Sequence, residues 1–148
     1  LDNFDIAAPE IADSEFTLSS NVPASFPEYN SGVVAFQKNP RVESFIDEWK
    51  AVYREYLDDG VRMNQPSFRE TLYQSDLRVA TLPTEYNCRV NFGGYLKNEM
   101  KILHGDVPNP DAVAERLNEV QMPRVYYNRN GELKIERIET ASPGLFSD

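Results

Sequence analysis

Between Asn39 and Gly60 the apolar residues Val42, Phe45, Ile46, Trp49, Val52, Tyr53, Tyr56 and Leu57 recur at three- and four-residue spacing. Short unbroken apolar runs stand on either side, at residues 33–36 and 79–82. A period near 3.6 buries one stripe of a helix, whereas a short apolar run suits a strand covered on both faces. Alternation of the two predicts an α/β fold, a sheet with flanking helices. The helix limits are also legible. Asn39 can cap the first turn, Pro40 fits the first helical position where its missing N–H costs nothing, and Asp58-Asp59-Gly60 ends the period. The two aspartates are adjacent and read as solvated helix-end residues.

Other elements follow from similar signals. Residues 4–8 read as a buried strand stopped by Pro9, and residues 11–28 carry a loop composition long enough to suggest a role. A second helix is expected from Asn64-Gln65-Pro66, with Phe68, Leu72 and Tyr73 inward. Residues 89–92 and 101–103 are predicted as short strands, with Gly93-Gly94 permitting a reversal between them. A third helix is expected, capped by Asn109 and opened by Pro110, with Val113, Leu117 and Val120 on one face and Pro123 marking its end. The clearest hairpin pairs residues 124–127 with 133–138 across Asn130-Gly131, a dipeptide suited to positive φ.

Composition narrows the class. At 148 residues, with 41% hydrophobic and 11% aromatic residues, the chain fits a single globular domain able to bury a core. Its 24 acidic against 15 basic residues give a net charge of −9, which repels phosphate backbones and anionic lipid, so nucleic acid and membrane surfaces are not expected partners. No run reaches the length needed to span a bilayer. Cys88 is the only cysteine, so no internal disulfide is available and nothing marks an oxidising compartment. A cytoplasmic setting is therefore favoured, with Cys88 read as a buried free thiol.

Four segments arrive in an order that resembles the second half of a GT-A glycosyltransferase, the nucleotide-diphospho-sugar transferase superfamily. They are Pro27-Glu28-Tyr29-Asn30-Ser31-Gly32 running into Val33-Val34-Ala35-Phe36, then Asn64-Gln65-Pro66, then Leu82-Pro83 with Asn87, then Lys101-Ile102-Leu103-His104. The resemblance covers residues 1–105 and leaves 106–148 as a helix-plus-hairpin extension. It implies the C-terminal part of a GT-A mixed sheet with flanking helices, followed by a C-terminal β-hairpin. It also implies a missing N-terminal half that would hold the nucleotide and an Asp-x-Asp motif, since no Asp-x-Asp occurs in these 148 residues.

Function by resemblance is transfer of a sugar from a nucleotide-diphosphate-sugar donor to a glycan or other hydroxyl acceptor, with this chain inactive alone. Gln65 and Asn64 would lie at the reacting centre. Asn30, Ser31, Gly32 and Asn87 would contact the sugars, with Tyr86 beside them, and His104 would be a ligand of Mn²⁺ or Mg²⁺. Each also has a structural reading: Asn-Ser-Gly as a turn leading into a strand, Asn64 as a helix cap, Tyr86 as a packed tyrosine, His104 as a strand-end histidine bonded to a carbonyl. Two departures from the family pattern stand out. Asn64 replaces the more usual Asp, and Gly105-Asp106-Val107-Pro108 lacks the Lys of the Gly-x-x-Lys-Pro-Trp run in glycogenin-like relatives. A non-catalytic carbohydrate-binding or protein-interaction domain built on the same half-fold is the alternative.

Overall fold

A computed structural model describes residues 3–11 and 21–138. The chain divides into two compact units, Leu1–Pro83 and Thr84–Asp148, a boundary that falls inside the family-like stretch 1–105.

Unit 1 is built on a three-stranded mixed sheet. Strand β1 (Ile6–Pro9) is central, antiparallel to β2 (Ala35–Phe36) and parallel to β3 (Val79–Leu82). Between β2 and β3 run helix α1 (Pro40–Asp58) and helix α2 (Gln65–Gln74). Asn39 caps α1 as expected, its Oδ1 accepting from the Val42 N–H at 3.0 Å. At the other end Gly60 adopts φ +86°, and the N–H groups of Gly60 and Val61 turn back to the carbonyls of Leu57 and Tyr56. That double closure satisfies carbonyls the helix would otherwise leave open, and the left-handed φ is why glycine stands there. The core gathers Ile6, Ala8, Tyr29, Phe45, Phe68 and Leu72, with Trp49 packed edge-on against Phe68 at 4.8 Å between ring centroids.

Asp5 ties this unit together. Its carboxylate is buried and accepts from the Arg78 backbone N–H at 3.0 Å, the Arg78 Nε at 3.3 Å, the Asn39 amide at 3.2 Å and the Arg41 guanidinium. The Arg78 N–H, more than burial opposes it, holds the Asp5 carboxyl below its ordinary value.

Several expectations for unit 1 change. The first strand begins at Ile6, leaving Phe4 exposed, and Pro9 lies within it as its last residue, paired with Leu82. A proline is tolerated there because its carbonyl, which takes the Asn30 N–H at 2.8 Å, is the group in use. The run 33–36 is not a fully buried strand: β2 holds only Ala35 and Phe36, both exposed, because it is a sheet edge with a single neighbour. Tyr73 is exposed and not inward, touching the Phe26 ring edge-on at 5.3 Å. Of the expected loop 11–28, residues 12–20 lie outside the described residues, and its base is closed by a bridge between Glu10 and Tyr29.

Unit 2 carries an antiparallel sheet in the order β4 (Gly94–Leu96), β5 (Arg124–Arg129), β6 (Glu132–Arg137), with helix α3 (Pro110–Asn118) between β4 and β5. The β5–β6 hairpin is the one expected. Arg129 pairs with Glu132, so Asn130 and Gly131 are the whole loop, at φ +56° and +81°. The core contains Cys88, Val90, Leu96, Met100, Leu117, Tyr126 and Leu133. Residues 89–92 and 101–103 do not form the two expected strands. Residues 89–92 turn, a single parallel bridge joins Cys88 to Leu103, and the strand is Gly94–Leu96 instead. Gly94 is a strand residue because its partner Tyr126 fills the space above it: an added Cβ would sit 2.7 Å from the Tyr126 hydroxyl. Two expectations for α3 are corrected: Asn109 stands in a left-handed conformation, φ +51°, and its side chain makes no cap bond, and the helix ends at Asn118, before Val120.

Glu85 is the buried carboxylate of unit 2. Its Oε1 accepts from the N–H groups of Lys97 (2.9 Å) and Asn98 (2.7 Å), and its own carbonyl takes the N–H groups of Lys101 and Ile102. Burial would raise the Glu85 carboxyl, but the N–H groups outweigh it and the group titrates below its ordinary value. Among the described residues no helix is long and apolar enough to cross a membrane.

Candidate functional site

The segment following the loop in unit 1 is tied down by backbone bonds where it reaches the first candidate residue. The Glu28 carbonyl accepts from the Ile11 N–H at 2.8 Å, and the Asn30 N–H donates to Pro9 at 2.8 Å, so this stretch is laced to the end of β1. Asn30 is buried, and its Oδ1 accepts the Gly32 N–H at 2.8 Å. This is a side-chain-closed turn of the kind asparagine favours. Asn30 therefore fixes the path of Ser31 and Gly32 as they emerge.

Ser31 and Asn64, expected on sequence grounds to share a site, do meet. The Ser31 hydroxyl donates to Asn64 Oδ1 at 3.0 Å across thirty-three positions of sequence. Asn64 does not cap α2 as its residue type suggests: its side chain makes no cap bond, because its oxygen is turned to Ser31. Its backbone carbonyl instead receives the Phe68 N–H at 3.0 Å and the Ser67 hydroxyl at 2.8 Å. Gln65, next in the chain, extends Nε2 to the Glu28 carboxylate, thirty-seven positions away and buried. Glu28 lies within the Pro27–Gly32 run, where nothing in the sequence singles it out. Its burial and its Gln65 partner are features of the fold that the run itself does not display.

Chemically the unit 1 cluster is two adjacent amides at a helix start, held by one carboxylate and one hydroxyl. Amides and hydroxyls both donate and accept, which suits neutral hydroxyl groups.

In unit 2, Asn87 and His104 are also brought together, with Asn87 Oδ1 2.7 Å from His104 Nδ1. The His104 backbone N–H donates to the Cys88 carbonyl at 2.9 Å, the strand-end arrangement foreseen from sequence. Since the amide oxygen only accepts, Nδ1 carries the proton and Nε2 holds the lone pair. Burial of the ring, with Arg89 near it, keeps the imidazole below its ordinary value and hence neutral at pH 7. A neutral ring oriented by its other nitrogen is a competent metal ligand. It is a single one, however: among the described residues no three His, Cys, Asp or Glu side chains gather where an ion could sit. Tyr86 is exposed, not packed.

The molecule is thus a mixed α/β chain in two units, each with its own sheet and a polar cluster. Comparison with family models, with curated proteins and with solved structures found no match.

Proposed function

We propose that this chain is the C-terminal part of a GT-A-type glycosyltransferase and that the unit 1 cluster recognises sugar hydroxyls. The observation that supports this most is the meeting of residues 30–32 with 64–65: two motifs chosen for their resemblance to one family, far apart in sequence, lie in hydrogen-bond contact through Ser31 and Asn64. In this reading Gln65 and Asn64 face the reacting sugar, and Asn30 shapes the turn that carries Ser31 and Gly32. His104, held by Asn87, supplies one ligand to Mn²⁺ or Mg²⁺. In this reading the remaining ligands and the groups that hold the nucleotide are not among the described residues. A divalent cation would neutralise charge developing on the leaving diphosphate.

The test is nucleoside-diphosphate release by the protein expressed from its full reading frame, assayed with uridine- and guanosine-diphosphate sugars and Mn²⁺. Gln65→Ala is expected to lower kcat about a hundredfold, the scale on which misplaced reacting groups act. His104→Ala is expected to weaken Mn²⁺ binding. No binding of any nucleotide sugar would overturn the reading. The neutral Asn64 and the missing Lys after His104 favour one second reading, a binding domain without catalysis, which binding without turnover would identify.

A further inference from the structure

The 28–31 segment does more than border Asn64 and Gln65: it engages the two amides in opposite senses. Glu28 accepts from Gln65 Nε2, so the Gln65 carbonyl oxygen is the end that Glu28 leaves for other partners. Ser31 donates to Asn64 Oδ1, so there the amide nitrogen is the end left by the clamp. A carboxylate accepts only, and the Gln65 amide has one donating and one accepting end, so the Glu28 contact selects one of two otherwise near-equivalent rotations about χ3.

We propose that Glu28 is a positioning residue that sets the rotation of the Gln65 amide, so that the pair Asn64–Gln65 presents one donor and one acceptor side by side, the pattern that recognises a sugar hydroxyl. This rests on the sugar-recognition reading above. Glu28 suits the task because its surroundings hold it in place. It is buried, and the backbone that follows its Cα is bonded to the chain at and just past the end of β1, the Glu28 carbonyl accepting the Ile11 N–H and the Pro9 carbonyl accepting the Asn30 N–H. The first turn of α2 has bonds of its own apart from this contact: the Asn64 carbonyl accepts the Phe68 N–H and the Ser67 hydroxyl, and that hydroxyl also takes the Trp49 indole N–H at 3.1 Å.

The experiment combines a kinetic cycle with a ligand-free readout. With transferase activity in hand, Glu28→Ala is expected to cost about tenfold to a hundredfold in kcat, as small misorientations of reacting groups do. Glu28→Gln keeps a carbonyl for Gln65 Nε2 and is expected to restore most of the loss, with Trp49 fluorescence unchanged in both. Because Glu28 acts through Gln65, the double variant Glu28→Ala/Gln65→Ala is expected to be no slower than Gln65→Ala alone. Additive losses would overturn the proposal while leaving the transferase reading intact. The Gln65 side-chain NH₂ signals of the isotope-labelled protein decide the matter even without turnover. They are expected to move in Glu28→Ala and to hold near their original positions in Glu28→Gln. Unmoved signals in Glu28→Ala would overturn the clamp whatever the enzyme does.

Discussion

Units 1 and 2 each bury a carboxylate, but Asp5 and Glu85 draw their partners from very different distances along the chain. Asp5 gathers Asn39, Arg41 and Arg78, separated from it by 34, 36 and 73 residues. Glu85 closes on Lys97 and Asn98, 12 and 13 residues on. The sheets follow suit: unit 1 pairs β1 with a strand more than seventy positions later, whereas unit 2 adds to β4 a hairpin closed by a two-residue loop. Unit 1 is therefore assembled from distant pieces, and the proposed site inherits that property, since its contacts also join remote segments. Placing polar groups from different parts of a chain side by side is what a recognition site requires, at the cost of closing long loops first.

Core truncation should give the largest effect and the sharpest contrast. Phe68 is fully buried between Phe45 and Trp49, and Phe68→Ala is expected to lower stability by about 3–5 kcal/mol. Trp49, the only tryptophan, reports this loss in unit 1 by fluorescence during urea unfolding. Amide exchange in β5 and β6 reports unit 2. Loss of both signals together in Phe68→Ala would show the units unfolding as one and would break the comparison.

Acid should weaken both units for the same reason. The Asp5 and Glu85 carboxyls titrate below their ordinary values when folded, so each contributes stability that is present above its unfolded value, about pH 4, and is lost as the pH falls through the folded one. Urea midpoints at pH 7 and pH 3 check the sign. In Asp5→Asn the acid sensitivity of the Trp49 signal should shrink while that of β5–β6 exchange persists; an undiminished Trp49 response would remove Asp5 from its central place in unit 1.

The smallest effect belongs to the hairpin loop. Gly131→Ala places a side chain at φ +81° and is expected to cost about 1 kcal/mol, read as faster exchange across β5 and β6 with Trp49 unchanged.

What could be read from sequence divides along the same line. Helix α1 was legible at both ends because its cap, its proline and its glycine are all local signals. So was the Asn130-Gly131 hairpin, whose turn chemistry and register are contained between Arg124 and Arg137. The edge position of β2 was not, because an apolar run looks the same whether one or two strands flank it. The Gly94 strand was missed because its reason, the Tyr126 ring above it, lies thirty-two positions away. In the site, the family-like motifs named Asn30, Ser31, Asn64 and Gln65, but the partner of each amide was hidden. Asn64 has the composition of a cap, and only the approach of Ser31 turns it to another use. Glu28 carries no motif of its own, and its meaning comes from Gln65.

The most direct test of the sugar-recognition reading is to follow the Asn64 and Gln65 side-chain amide signals while a uridine- or guanosine-diphosphate sugar is added, with Mn²⁺ replaced by Mg²⁺ to avoid paramagnetic loss, to the protein from its full reading frame. The expected result is that both side-chain amides and the Gly32 backbone N–H shift together and saturate with the ligand, while the β5–β6 loop signals of Asn130 and Gly131 stay in place. Saturable binding that leaves Asn64, Gln65 and Gly32 unmoved, or no binding of either nucleotide sugar, would contradict it.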